Sequence, residues 1–210
     1  MDIKKSLESY IDQLSSNSPT PGGGNVAALC GVLASSLGEM VCNLTIGKKK
    51  YLEVENEMKN IREELIVYKN DFVHLGKKDN ESFDKVMDAF KLPKESDEDK
   101  ALRTKAIENA TIGAAEVPAK VIKMCKMILP SLTVIVEKGN QNSLSDVGVA
   151  LSLIATSAEG AFLNVLINCS SLTNKIMGQE LLKKSEILNN EVQEEVKSLL
   201  NSIKQRLMPQ

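Results

Sequence analysis

An all-α fold of about six or seven helices follows from two observations in this sequence. Apolar residues recur at steps of three and four over long stretches, and nowhere does the alternation of a half-buried strand appear. Proline and glycine punctuation falls far enough apart to leave room for whole helices between breaks. The opening stretch, Ile3 to Leu14, reads as a short amphipathic helix. After Ser18-Pro19-Thr20-Pro21-Gly22-Gly23-Gly24, a second helix runs from Asn25 to Ile46. It is apolar nearly all round and carries the small residues Ala27, Ala28, Gly31, Ala34 and Gly38, so it belongs at the centre of the bundle. Ser35, Glu39 and Asn43, spaced by four, form a narrow polar ribbon on it. A long third helix, Glu53 to Phe90, stops before Leu92-Pro93, because a residue preceding proline is pushed out of helical geometry. Ser96-Asp97-Glu98-Asp99 has the composition of a fourth helix start, with Ala110, Ala114, Val117, Val121, Met124 and Ile128 as its stripe. Pro118 falls inside that stripe and predicts a kink or a restart near Ala115 to Val117. Lys138-Gly139-Asn140-Gln141-Asn142 is a break. Ser143 with Asp146 reads as a capping-box variant opening a helix over Val147 to Asn168, and Thr173 as the cap of a final helix carrying Leu181, Leu188, Val192, Leu199, Ile203 and Leu207.

With 210 residues and no Pro- or Gly-rich linker, residues 1–210 read as one domain. Twenty-six basic against 28 acidic side chains leave a formal charge of -2, which gives no positive field for a nucleic acid. Cys30, Cys42, Cys125 and Cys169 lie scattered in apolar stretches without CxxC spacing, as reduced thiols of an intracellular protein do. The N-terminal segment has no signal-type apolar block, so a cytoplasmic location is expected. The two most apolar helices have the length of a bilayer span, but each places a glutamate, Glu39 or Glu159, within it. Such a residue carries an insertion penalty of roughly 2 to 3 kcal/mol, and no membrane partner is expected. A single histidine and no tryptophan exclude multi-histidine zinc sites, and no metal is expected. His74 points off the apolar stripe toward solvent, which leaves Ser–His and Cys–His nucleophile pairs without a placed base.

The third helix carries the sharpest signal. Met58, Ile61, Leu65, Tyr68, Phe72, Leu75, Asp79, Ser82 and Val86 trace one seam at helical spacing, and Asp79 puts a carboxylate where the seam needs an apolar group. Burial raises such a carboxyl toward the range in which it both accepts and donates protons near neutrality. The alternative is a core anchor satisfied by a polar partner.

The loop Pro21, Gly22, Gly23, Gly24 forfeits helix propensity at the mouth of an apolar helix. Its bare amides suit a flat or anionic ligand, or its surface takes another segment of chain. Gly22 to Ala27 fits the G-x-G-x-x-A pattern, but no strand precedes it, which excludes a dinucleotide fingerprint. Gly47-Lys48 lacks the rest of a phosphate loop. Lys48, Lys49 and Lys50 suit a helix C-terminus as solvated charges, or seat the carboxylates of a small acidic substrate. Asn140 and Asn142 serve turn chemistry or a heterocycle edge. Asn164 and Asn168, one turn apart on an apolar helix, tie helices together or line a polar pocket.

Together Pro21-Gly22-Gly23-Gly24, the run Asn43-Leu44-Thr45-Ile46-Gly47-Lys48-Lys49-Lys50-Tyr51, Asp79-Asn80-Glu81-Ser82-Phe83, Val117-Pro118, Gly139-Asn140 with Ser145-Asp146, and Asn164-Val165-Leu166-Ile167-Asn168 resemble the cyclodeaminase/cyclohydrolase family. This is the family of the C-terminal domain of formiminotransferase-cyclodeaminase, and the likeness runs over nearly the whole chain in order. It implies an all-helical, usually homodimeric protein that acts on tetrahydrofolate one-carbon adducts without a cofactor. Its catalytic aspartate, in a D-x-E-x-F stretch, maps onto Asp79. By the same resemblance Pro21, Gly22, Gly23, Gly24, Asn43, Lys48, Lys49, Lys50, Asn140, Asn142, Asp146 and Asn164 lie near the folate. The leading expectation is a formimidoyltetrahydrofolate cyclodeaminase, making 5,10-methenyltetrahydrofolate and ammonia. The alternatives are a methenyltetrahydrofolate cyclohydrolase and, in another class, a non-catalytic helical folate-binding or assembly module.

Overall fold

The computed structural model describes residues 7–209. It contains six α-helices and, among the described residues, no strand. These are α1 (Leu7–Leu14), α2 (Gly23–Thr45), α3 (Glu55–Phe90), α4 (Asp97–Lys138), α5 (Leu144–Ser170) and α6 (Lys175–Leu207), with 3₁₀ turns at Lys49–Val54 and Gln141–Ser143. The expected start of the first helix, Ile3, lies outside the described residues. Short connections make α2 to α5 an up-and-down bundle in which α2 packs on α3 and α5, α4 closes the ring, and α6 lies against α4 and α5. One end of the bundle therefore collects the N-terminus of α2 and the C-terminal parts of α3 and α5. The other end collects the C-termini of α2 and α4 and the N-terminus of α5.

The small residues of α2 set its distance from α3. An ideal Cβ added at Gly31 would stand 2.5 Å from the ring of Phe72, and one at Gly38 would stand 3.0 Å from Leu65 Cδ1. Phe72 and Leu65 are fully buried. Gly31 and Gly38 are seven residues apart, as are Leu65 and Phe72 in reverse, so the two helices run antiparallel in a fixed register. Extending that register by one heptad pairs Gly24 with Asp79.

Several boundaries differ from the sequence expectations for local reasons. Pro118 neither restarts nor ends α4, which runs unbroken from Asp97 to Lys138 with a second proline, Pro130, inside it. Pro118 has no N–H to give the carbonyl of Ala114 four residues back. Asn168 Nδ2 of α5 donates to that carbonyl instead, at 3.1 Å, and tertiary bonding replaces the lost helical one. Ser96 and Asp99 do form a reciprocal capping box at the start of α4. Ser143 does not: it precedes α5 without a side-chain cap, because the Gln141–Ser143 turn already leads into the helix. The cap of α6 is Asn174, whose Oδ1 accepts from the amide of Met177, and Thr173 lies one position too early.

Along the seam of α3, Met58, Ile61, Leu65, Phe72 and Leu75 are buried and Tyr68 half-buried, and His74 is exposed. Cys42, Cys125 and Cys169 are buried free thiols, and burial pushes Cys42 and Cys125 up to about 12. Helices α2 and α5 are long and apolar enough to span a membrane by length and composition. In the bundle each buries one side and leaves the other open, with Leu33, Met40 and Leu44 of α2 and Val149, Leu163 and Ile167 of α5 exposed.

Gly31→Ala is expected to lower unfolding free energy by about 1–3 kcal/mol in urea titration, because the new methyl must push against the Phe72 ring. Gly113→Ala on α4 would meet nothing within 4 Å and is expected to raise it by up to about 1 kcal/mol.

Candidate active site

At the α2 N-terminal end a cleft of about 310 Å³ opens between the glycine loop, α3, α4 and α5. Its lining includes Gly22, Gly23, Gly24, Asp79, Phe83 and Asn168. Among the described lining residues Asp79 is the one ionisable side chain. The Thr20–Pro21 peptide is cis, and Pro21 is buried behind the loop. Gln13 Nε2 and Ser18 Oγ both donate to the Thr20 carbonyl, at 3.2 Å and 2.8 Å, which fixes the loop from the α1 side.

The glycine at position 24 is required by the carboxylate. A Cβ there would stand 2.7 Å from Asp79 Cγ and 2.8 Å from Oδ2, closer than any side chain tolerates. Asp79 is half-buried. Burial pushes its carboxyl above the ordinary aspartate value, and a hydrogen bond from the backbone N–H of Asn25 opposes that rise by favouring the ionised form. The first turn of α2 also presents free amide hydrogens toward this end, as every helix N-terminus does. A carboxyl held in this way has the chemistry to take a proton from one atom and return it to another.

Two asparagines face Asp79 across the cleft. Asn164 Nδ2 donates to the Gly160 carbonyl at 2.8 Å, and Asn168 Nδ2 donates to Ala114. Each of these bonds uses one of the two N–H donors of its amide, so both residues offer a side-chain oxygen and a second N–H to a ligand. Phe83, Val86 and Ile167 add apolar walls suited to a planar ring.

The structure thus brings together Asp79, Gly22, Gly23, Gly24 and Asn164, with Pro21 directly behind. It places the other expected folate neighbours elsewhere on the chain. Asn43, Lys48, Lys49, Lys50 and Asn142 are exposed, and Asn140 and Asp146 half-exposed, at the opposite end of the bundle. The length of α2 separates them from Asp79 by about 30 Å. There they form a group of their own. Asn140 takes a bond from its backbone N–H to Thr45 Oγ1 and gives its Nδ2 to the Leu44 carbonyl. Tyr51, with Lys50 over its ring at 5.4 Å, accepts from the Gln141 amide. In the sequence Val86 and Ala114 are only apolar stripe residues, and Phe83 and Ile167 stand only within motifs of the family resemblance; none is expected there as a site residue. Among the described residues no group of three or more His, Cys, Asp or Glu side chains comes together to hold a metal.

Among the described residues, the helical bundle holds one half-buried carboxyl in a cleft of about 310 Å³. Comparison with known proteins places it further. The model of the formiminotransferase-cyclodeaminase family matches residues 6–187. A methenyltetrahydrofolate cyclohydrolase of Methylorubrum extorquens is 39% identical over 94% of this chain and 98% of its own length. The rat formimidoyltransferase-cyclodeaminase is 28% identical over 97% of this chain, which spans only 38% of that longer protein. The crystal structure of a formiminotetrahydrofolate cyclodeaminase from Thermotoga maritima superposes with a TM-score of 0.81 at 34% identity, covering 95% of this chain and 98% of that one. The chain belongs to the formiminotransferase-cyclodeaminase family.

Burial of Asp79 has a consequence for stability. Because its folded-state value is raised, its contribution to stability is fully present below the unfolded value, near 3.8, and is lost as pH rises through the folded value. Asp79→Asn is therefore expected to melt higher than the parent protein at pH 7, with the difference closing as pH falls through the aspartate range. Melting curves across pH 3 to 8 check this.

Proposed function

We propose that this protein is a methenyltetrahydrofolate cyclohydrolase in which Asp79 is the acid–base group. The observation that carries the chemistry is that Asp79, the one ionisable side chain among the described lining residues, is half-buried against Gly24, where burial raises its carboxyl above the ordinary aspartate value. The likeness to the Methylorubrum enzyme, over nearly the full length of both chains, supports hydrolysis ahead of the cyclodeamination that the sequence alone put first. Asp79 as carboxylate takes a proton from water as its oxygen bonds to the carbon bridging N5 and N10. The tetrahedral adduct then collapses: the bond from that carbon to N5 breaks, Asp79 returns its proton to N5, and the adduct's hydroxyl proton leaves to solvent as the formyl group forms on N10.

The second reading, formimidoyltetrahydrofolate cyclodeaminase, is favoured by the Thermotoga relative. Here N10 attacks the formimino carbon, Asp79 accepts the N10 proton, and the same group delivers one to the departing ammonia. Both reactions pass through a tetrahedral carbon between N5 and N10, which is why one carboxyl serves either.

We further propose a cytoplasmic homodimer paired through α2. Val26, Cys30, Leu33, Leu37, Met40 and Leu44 recur in alternating steps of four and three and are half-buried or exposed in one chain, the pattern of an unpaired helix seam. In a two-fold antiparallel pairing centred between Leu33 and Leu37, the C-terminus of one α2 lies beside the N-terminus of the other. Lys48 to Lys50, and the asparagines packed near them, would then serve a folate in the partner's cleft, with the lysines drawing its glutamate carboxylates.

Purified protein mixed with 5,10-methenyltetrahydrofolate is expected to bleach the methenyl chromophore faster than buffer. A rise of that chromophore from 5-formiminotetrahydrofolate, with ammonia release, would instead establish the second reading. Asp79→Asn is expected to lose on the order of 10²-fold or more in kcat while still binding folate; unchanged turnover would leave Asp79 as a core anchor only. Light scattering is expected to give a dimer mass for the parent chain and a monomer mass for a Leu33→Glu, Met40→Glu double variant.

A further inference from the structure

Asp79 is held by a second tier of residues that reaches it from α1 and α2. Asn25, the third residue of α2, is 1% exposed and bonded at every side-chain position. Its Nδ2 donates to the Gly76 carbonyl at 2.7 Å and to Asn80 Oδ1 at 3.3 Å, so it grips the turn of α3 on which Asp79 stands. Its Oδ1 accepts from Tyr10 Oη at 2.9 Å. The first turn of α2 lies against the Asp79 carboxylate, since a Cβ on the preceding Gly24 would stand 2.7 Å from Asp79 Cγ, and the Asn25 backbone N–H favours the ionised form. Tyr10 is the one buried residue of α1, whose Leu7 and Ile11 remain exposed. Packing alone gives α1 little reason to dock, and the buried bond from Tyr10 to Asn25 joins the Gln13 bond to the Thr20 carbonyl in attaching it.

We propose that Asn25 and Tyr10 are positioning residues for Asp79: the Tyr10 hydroxyl locks the Asn25 side chain, and the locked residue aims its amide at the carboxylate. The inference rests on Asp79 being the acid–base group. Without the Tyr10 hydroxyl, Asn25 Oδ1 loses its partner and the residue shifts to find another. The N–H bond to the carboxylate then weakens, the ionised form is favoured less, and Asp79 titrates at higher pH. Among the described residues, the other titratable group acting on Tyr10 is the Cys30 thiol of α2, itself raised by burial. The cleft residues of α4 and α5, Ala114, Asn164 and Asn168, carry no charge.

The test is Tyr10→Phe in the full chain, read by the pH profile of kcat and by carbon NMR titration of the Asp79 carboxyl. The expected result is a fall in kcat of about 10- to 100-fold, little change in KM, and movement of both the acid limb and the carboxyl titration to higher pH. Asn25→Ala, which keeps the amide but frees the side chain, is expected to move both in the same direction and serves if the first variant folds poorly. A pH profile and carboxyl titration superimposable on those of the parent protein would overturn the proposal, whatever the change in rate. Turnover surviving in Asp79→Asn would overturn the acid–base reading instead, and the carboxyl titration distinguishes the two failures because it does not depend on turnover.

Discussion

The close approach of α2 to α3 is the constraint from which the rest of this structure follows. Glycines at positions 24, 31 and 38 let the two helices meet at successive heptads, and the side chains they admit are Asp79, Phe72 and Leu65. Two of the three fill the core with apolar volume. The third places a carboxyl at the last contact before solvent, where the same close packing that excludes water raises its proton affinity. Fold and site are thus one arrangement read at different heptads.

That constraint explains why so much was legible in the sequence. The stripe from Met58 to Val86 announced both a long amphipathic helix and the acid that breaks it, because helical periodicity is a local property. The small residues of the second helix announced a close neighbour for the same reason. What remained hidden was long-range. Nothing local to Pro118 indicates that Asn168, fifty residues on, will bond the carbonyl which that proline leaves unpaired, so a kink or a restart was expected, and α4 does not restart. Asn25 read as the start of the second helix and Tyr10 as part of a short amphipathic helix, and only the folded chain joins them. Motif order along the chain also does not say which end of a helix faces which pocket. The residues that resemble folate neighbours consequently divide between two ends of the bundle.

This division gives the chemistry its shape. The cleft end holds a half-buried carboxyl, a bare backbone and side-chain amides, equipment suited to a planar heterocycle. The far end holds flexible cations and a hydrogen-bonded turn, equipment for carboxylates. One chain keeps the two about 30 Å apart, and an antiparallel partner would bring them together. Choice between water and an internal amine as nucleophile does not require a second catalytic group, since both demand one proton taken and one returned. Members of a single family are named for each of the two reactions.

The most direct measurement is a crystal structure of the protein with a non-reacting, bridged folate analogue. The account predicts the bridging carbon over Gly22 to Gly24, within hydrogen-bond reach of Asp79 directly or through one water. A folate ring bound outside this cleft, or an Asp79 carboxyl turned away from the bridge, would contradict it.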